Sequence, residues 1–427
     1  MKPLRSSTGA ARRFRCTGAV RAVSRARIVA RLVGVTAAAA MLPVALALQA
    51  SGQVAAPAPG QPLAGITPPE FERFRHGLED FLEVETAEEG LGPAFNGTSC
   101  GTCHSIPAVG GGGLIAEMHA GIRGDDGVFR PTYASDTDPG GTLFQLFSIP
   151  GHACQPVPPP EANVVARRIS IPLFGAGLVE AIPDSEIAAR ADPHDQNFDG
   201  IRGRAALVND LASGQLRVGR FGWKAQHPTL KSFAGDAYRS EMGITNEVVP
   251  QELALGIPPE RMLLCDPIPD PEDVPDPRTG LSGVDNFEAF MKFLAPPARG
   301  PVNDVTAVGE GMFTAIGCAA CHVPVLRTGP SDNPLFDRRP VPLYSDLLLH
   351  DVGTGDGIAQ AAAAPNEIRT PALWGLRFRR ALLHDGTAGS VREAIERHAA
   401  EAAPAREAFR LLDEGSRAAL LAFLASL

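Results

Sequence analysis

In the segment PPEFERFRHGLEDFLEV, Phe71, Phe74, Leu78, Phe81 and Leu82 recur at helical spacing and predict a helix with one apolar face. VDNFEAFMKFLA predicts another, PPARGP breaks it, and VTAVGEGMFTAIGCAACH opens a further helical unit. SRAALLAFLASL, with Leu420, Leu421, Phe423, Leu424 and Leu427, closes the chain as an amphipathic helix. Alternating strand patterns are few, so the expected fold is mainly α. Loops are long: AVGGGG, PVPPPE and CDPIPDPEDVPDPRTG punctuate the middle, and the last marks a boundary region.

Length then sets the organisation. At 427 residues the chain exceeds one typical core, so two domains are expected. Residues 1–50 read as a signal peptide, an arginine-rich start followed by LVGVTAAAAMLPVALAL and small residues near Ala47 and Ala50. Export would make the protein periplasmic, and membrane attachment is expected only if this segment stays uncleaved. Arg12-Arg13 lacks the residues that should follow in a twin-arginine signal. Residues 51–69 form a flexible lead-in, residues 70–300 an N-terminal domain with a loop-rich insertion, and residues 301–427 a C-terminal domain. A net charge of −9 and the absence of a basic patch beyond the first segment exclude nucleic acid as the expected partner.

Seven cysteines carry most of the chemistry. Cys16 falls in the signal, Cys154 and Cys265 form one candidate disulfide pair, and four lie in SCGTCHS and GCAACHV. Cys-x-x-Cys-His is the pattern of covalent c-type haem attachment: the thiols bond the porphyrin and the adjacent histidine sits below the iron. Zinc or a redox dithiol would explain a lone Cys-x-x-Cys but not the paired histidines. The expectation is two covalently bound c-type haems, haem 1 on Cys100, Cys103 and His104 and haem 2 on Cys318, Cys321 and His322. The two halves are then cytochrome c-like haem domains with long loops.

The ordered series FNGTSCGTCHSIPAVGGGG, PLFGAGLVEAIPDSEI, GRFGWKAQHPTL, EMGIT, SDLLLHDVG and RTPALWGLRFRRALLHDG resembles the bacterial di-haem oxidoreductases described as peroxidases or thiol oxidoreductases. These stand within the di-haem cytochrome c peroxidase superfamily, and the resemblance runs from about Phe71 to Leu427. It implies a sixth ligand for haem 2 about a dozen residues after His-Asp-Gly, usually a methionine. Here His398 occupies that place, and no methionine follows Met312. His350 and His384 are the alternative ligands. The resemblance also implies an acid beside haem 1 in a pattern of polar residue, proline and glutamate, met by Arg168, Pro172 and Glu180. Arg168 stands where relatives have glutamine, and the gap to Glu180 is two residues longer. Glu180 as a capping carboxylate, and Arg167 in place of Arg168, are the competing readings.

Trp223 lies between the haem segments and is the expected electron relay, with a core role as the alternative for it and for Trp374. Asp195, Asn197, Asp199 and Gly200 match the start of a calcium loop, but position twelve is Ala206 instead of glutamate, so a tight turn competes with calcium. The leading expectation is a peroxidase reducing a small-molecule oxidant, hydrogen peroxide, with electrons from a small protein such as a cytochrome c or cupredoxin. Two other classes stay open: an electron-transfer cytochrome, for which His76, His119, His152 and His227 supply further ligands, and an oxygenase of hydrophobic substrates.

Overall fold

The computed structural model describes residues 57–133, 141–150, 154–252, 257, 261, 264–265 and 274–427. The signal peptide, Cys16 and His152 lie outside the described residues. Among the described residues, no helix is long and apolar enough to cross a membrane.

Among the described residues, ten α-helices fix the frame: α1 (Pro68–Leu82), α2 (Cys100–Cys103), α3 (Ala176–Glu180), α4 (Asp184–Ala188), α5 (Leu230–Met242), α6 (Gly283–Phe293), α7 (Asp304–Ala315), α8 (Val391–Arg397), α9 (Ala403–Leu411) and α10 (Glu414–Leu424). The helices read from apolar spacing are present as α1, α6, α7 and α10. Each Cys-x-x-Cys-His motif follows a helix that crosses a later one at a glycine. Gly77 of α1 lies so close to α6 that a Cβ would meet the Asn286 carbonyl, and Gly309 of α7 meets the Ala419 carbonyl of α10 in the same way. Phenylalanines fill both crossings: Phe74 and Phe81 pack tilted against Phe290 at 5.3 and 4.7 Å, and Phe313 lies 5.3 Å from Phe423.

The expectation of a mainly α fold is met in part: the protein is 31% helical and 15% strand, with small sheets among the helices. Besides β1 (Ala94–Phe95) paired with β5 (Phe147–Ser148), one four-stranded sheet is built around β2 (Ala116–Arg123). On one side β2 pairs antiparallel with β6 (Val164–Ile169), Glu117 opposite Arg168 and His119 opposite Ala166. On the other it pairs with β3 (Phe129–Pro131) and β4 (Leu143–Phe144).

Residues Val54–Leu427 form one compact unit. Its largest core cluster joins Phe74, Phe81, Tyr238, Phe287 and Phe290 to Leu326, Phe336, Val341, Leu343 and Leu347, side chains from both sides of residue 300. A second cluster, around Phe313, Phe409, Leu420 and Phe423, belongs to the C-terminal half alone. Cys154 and Cys265 are joined by a disulfide across a Cα separation of 5.9 Å.

Candidate active site

Each Cys-x-x-Cys-His motif faces its own cavity, of about 230 Å³ for the first and 420 Å³ for the second. Both exceed many times the roughly 30 Å³ that one water occupies, so each has room for a bulky group. All four motif cysteines are free thiols, and burial pushes Cys100 and Cys103 up to about 12 and Cys318 up to about 11.

The two motif histidines are held alike. His104 donates Nδ1–H to the Gly111 carbonyl at 2.9 Å, and His322 donates Nδ1–H to the Tyr344 carbonyl at 3.1 Å. A phenylalanine from the preceding helix packs on each ring, Phe81 at 6.2 Å and Phe313 at 6.3 Å. Pinning Nδ1 fixes the tautomer and leaves Nε2 for a metal.

His398 repeats this device at the end of α8, its Nδ1 on the Ala394 carbonyl at 2.7 Å, and it lines the second cavity with His322. Burial, then the neighbouring His398, lower His322 to about 4. The alternative ligands are arranged differently. His350 is held on both nitrogens, by Asp346 at 2.9 Å and Glu401 at 2.8 Å. Burial opposes its charge, but Asp346, Cys321 and Glu401 push it up to about 12. His384 lines the second cavity with its Nδ1 unpartnered and its ring edge-on to Trp223 at 6.2 Å. His76 lies on α1 beside Arg75 and Glu79 and lines neither cavity.

Trp223 lines both cavities. Its indole N–H bonds the Ile169 carbonyl at 2.8 Å, and Arg379 lies over its ring at 5.9 Å. Its loop is closed by the bridge between Phe221 and His227, and Ala225 holds the left-handed conformation that glycine favours, at φ +52°. Trp374 lines only the first cavity.

Arg168 is 1% exposed and lines the first cavity. It bonds Asp356 at 2.7 Å and Gln360 at 2.5 Å, and its Nη2 has no partner. Lys224 meets the same carboxylate at 3.0 Å. Burial raises Asp356, but Arg168 and Lys224 overcome it and hold the carboxyl below its usual range, while burial brings Lys224 down to about 8. Arg167, one step along β6, is exposed, as strand alternation requires.

Glu180 is a correction. It does not line the first cavity; its carboxylate accepts from the Leu230 N–H at 2.7 Å, at the start of α5. Beside it Thr229 accepts from Ser232 N–H, so two of the helix's unsatisfied donors are capped by side chains. Asp195, Asn197 and Asp199 likewise turn oxygens to local backbone, on the N–H groups of Gly200, Asp199 and Ile201, which describes a self-satisfied turn.

The acids that do line the first cavity are Glu117, Asp236 and Glu241. Glu117 accepts from His119 Nε2 at 3.0 Å, and Asn96 donates to Glu241 at 2.6 Å. The two carboxyls bond each other: burial raises both, His119 still brings Glu117 down to about 2, and Glu117 helps hold Glu241 well above its ordinary value. His119 is spent on both nitrogens, the second on Thr142. His227 also lines this cavity, with Nε2 donating to Asp236 at 3.0 Å and Nδ1 unpartnered. Sequence reading gave Glu117 no role, and Glu241 only a place in the EMGIT stretch. The GDDG turn after AEMHAGIR was the one local signal of a hairpin there.

Residues 161–427, more than half of the chain, match the family described as "Di-haem oxidoreductase, putative peroxidase". The first motif lies before the matched stretch and the second within it. No curated protein is significantly similar to the chain. Among solved structures, the diheme peroxidase BthA from Burkholderia thailandensis E264 aligns over 83% of this chain and 86% of its own, at 14% identity and a TM-score of 0.40. Hydrazine synthase from Kuenenia stuttgartiensis aligns over 91% and 100%, at 14% identity and 0.38. A MauG-like protein associated with microbial copper homeostasis aligns over 60% and 89%, at 14% identity and 0.30. Likenesses at these scores carry nothing further about this chain.

Proposed function

Because the chain belongs to the di-haem oxidoreductase family, we propose that it reduces hydrogen peroxide in the first cavity with electrons received through the second. The observation that carries this reading is an asymmetry. The second cavity pairs His322 with His398, both with Nδ1 pinned to a carbonyl, whereas the first combines His104 with acids and Arg168.

The residues present fit covalently attached haem: free thiols at each motif, histidines with Nε2 left over, and an unpartnered donor on Arg379 in the second cavity. Cys100, Cys103 and His104 would hold one group, and Cys318, Cys321, His322 and His398 the other. When bound, two haems supply electron storage at a site with two protein ligands and oxidant chemistry at a site with one. Trp223 walls both cavities and shortens the gap between them. Arg168 offers a hydrogen-bond donor to an oxygen that gains negative charge. An export signal and the Cys154–Cys265 disulfide support a periplasmic setting, with a small cytochrome c or cupredoxin as donor.

One observation favours a second reading, an electron-transfer cytochrome: the bare Nδ1 of His227 is a candidate sixth ligand in the first cavity. EPR of the oxidised and half-reduced holoprotein separates the two. Peroxidase function predicts a high-spin haem in the half-reduced form, and withdrawal of two electrons per peroxide added. Two low-spin haems in every state, with peroxide left unconsumed, would refute it.

A further inference from the structure

Buried polar atoms without partners are few in a folded protein, and each one calls for an occupant. Two line the first cavity: Arg168 Nη2 and His227 Nδ1. The side chains that bear them are each 1% exposed. Both must find their partner in whatever occupies that cavity.

Their chemistry is complementary. A guanidinium nitrogen can only donate. His227 is set the other way by Asp236, which accepts the Nε2 proton and so leaves the lone pair on Nδ1. Arg239 bonds the same carboxylate at 3.1 Å and sets a positive charge beside it. A carboxylate filling the cavity would satisfy Arg168 and leave Nδ1 without a donor. A molecule that both accepts and donates satisfies both atoms, and hydrogen peroxide is such a molecule.

Glu117, Glu241 and His119, which line the same cavity, are already spent. Glu117 is taken by His119 and Glu241, Glu241 by Asn96 and Glu117, and His119 by Glu117 and Thr142. We infer that His227, oriented by Asp236, is the proton acceptor of the first cavity, and that with Arg168 it forms the seat for hydrogen peroxide. This rests on the reading of the first cavity as the place of peroxide reduction.

His227 takes the proton of one peroxide oxygen and returns it to the other as the O–O bond breaks, so the oxygen that receives it leaves as water. The remaining oxygen becomes the second water. Overall, one peroxide, two protons and two electrons from the donor protein give two waters. Asp236 is a positioning residue in this step.

Hydrogen cyanide tests the base independently of turnover, because it enters as a neutral acid and must surrender a proton to bind as the anion. In the holoprotein, His227→Gln is expected to lower kcat/KM for peroxide by about 10²–10⁴-fold, and to slow cyanide association in parallel. Asp236→Asn, assayed well below its melting temperature, should lose part of both while the haem spectrum stays as in the parent, which a purely structural role would not produce. Unchanged peroxide and cyanide rates in His227→Gln would overturn the inference and leave the peroxidase reading intact. A low-spin first haem that turns high-spin in His227→Gln would also overturn it, by making His227 an iron ligand. If the parent consumes no peroxide but the variant still slows cyanide association, the peroxidase reading fails and the base assignment stands.

Discussion

Replacing Glu180 separates a structural carboxylate from a catalytic one. Its contact with the Leu230 N–H at 2.7 Å is a charge-assisted bond at a helix N-terminus. Bonds to charged groups contribute about 1.5–3 kcal/mol, and partial exposure of Glu180 argues for the lower half, so Glu180→Ala should cost about 2 kcal/mol. For the unit Val54–Leu427, melting entropy of about 2.1 cal/mol/K per residue sums to roughly 0.8 kcal/mol/K, which converts that loss to a drop of about 2–3 °C. Glu180→Gln keeps an accepting oxygen and loses only the charge, so its cost falls to about 1 kcal/mol or less. It also relieves Glu288, which burial and then the Glu180 charge hold above its ordinary value. Differential scanning calorimetry and peroxide kinetics on the same preparations give the answer. Both variants should keep kcat/KM close to that of the parent. A fall of about 10²-fold in Glu180→Gln with unchanged melting would refute the capping argument and restore Glu180 as an acid.

Two further outcomes follow from the second cavity. His398→Met should raise the potential of the second haem by an amount on the order of 0.1 V, a fraction of the roughly 0.8 V that axial ligation spans; an unchanged spectroelectrochemical midpoint would remove His398 from the iron. His350, pushed up to about 12, contributes stability that is full below the ordinary histidine value of 6.5 and lost as pH rises through the folded value. Melting temperature should therefore decline from neutral to alkaline pH, by up to about 1.4 kcal/mol of stability per pH unit, and Asp346→Asn should flatten that slope.

Patterns that depend on spacing alone were legible in the sequence. The helices α1, α6, α7 and α10 follow from apolar periodicity, and the two Cys-x-x-Cys-His motifs from local residue order. The β2–β6 pairing was not, because two of its strand positions invert the usual alternation. Glu117 and His119 turn polar groups toward a cavity, so β2 does not read as apolar inside and polar outside. Glu180 was misplaced for a related reason. Spacing from Arg168 sets a distance along the chain, but the turn Pro172–Gly175 and the short α3 decide where the carboxylate ends up, and they send it to α5. His227 and Asp236 lie nine residues apart across a loop and a helix turn, and only folding shows that one orients the other.

Phe74, Phe81 and Phe290 beside the first motif share a packed interior with Leu326, Leu343 and Leu347 beyond the second. Close-packed interiors do not hinge, so the distance between the two cavities is a constant of the molecule. Hydrogen exchange should find the amides of α1, α6 and the stretch from Leu343 to Leu347 opening together, as one cooperative block. Any switch between resting and working states must then act by exchanging a ligand or moving a loop, since separation of the halves would melt the core they have in common.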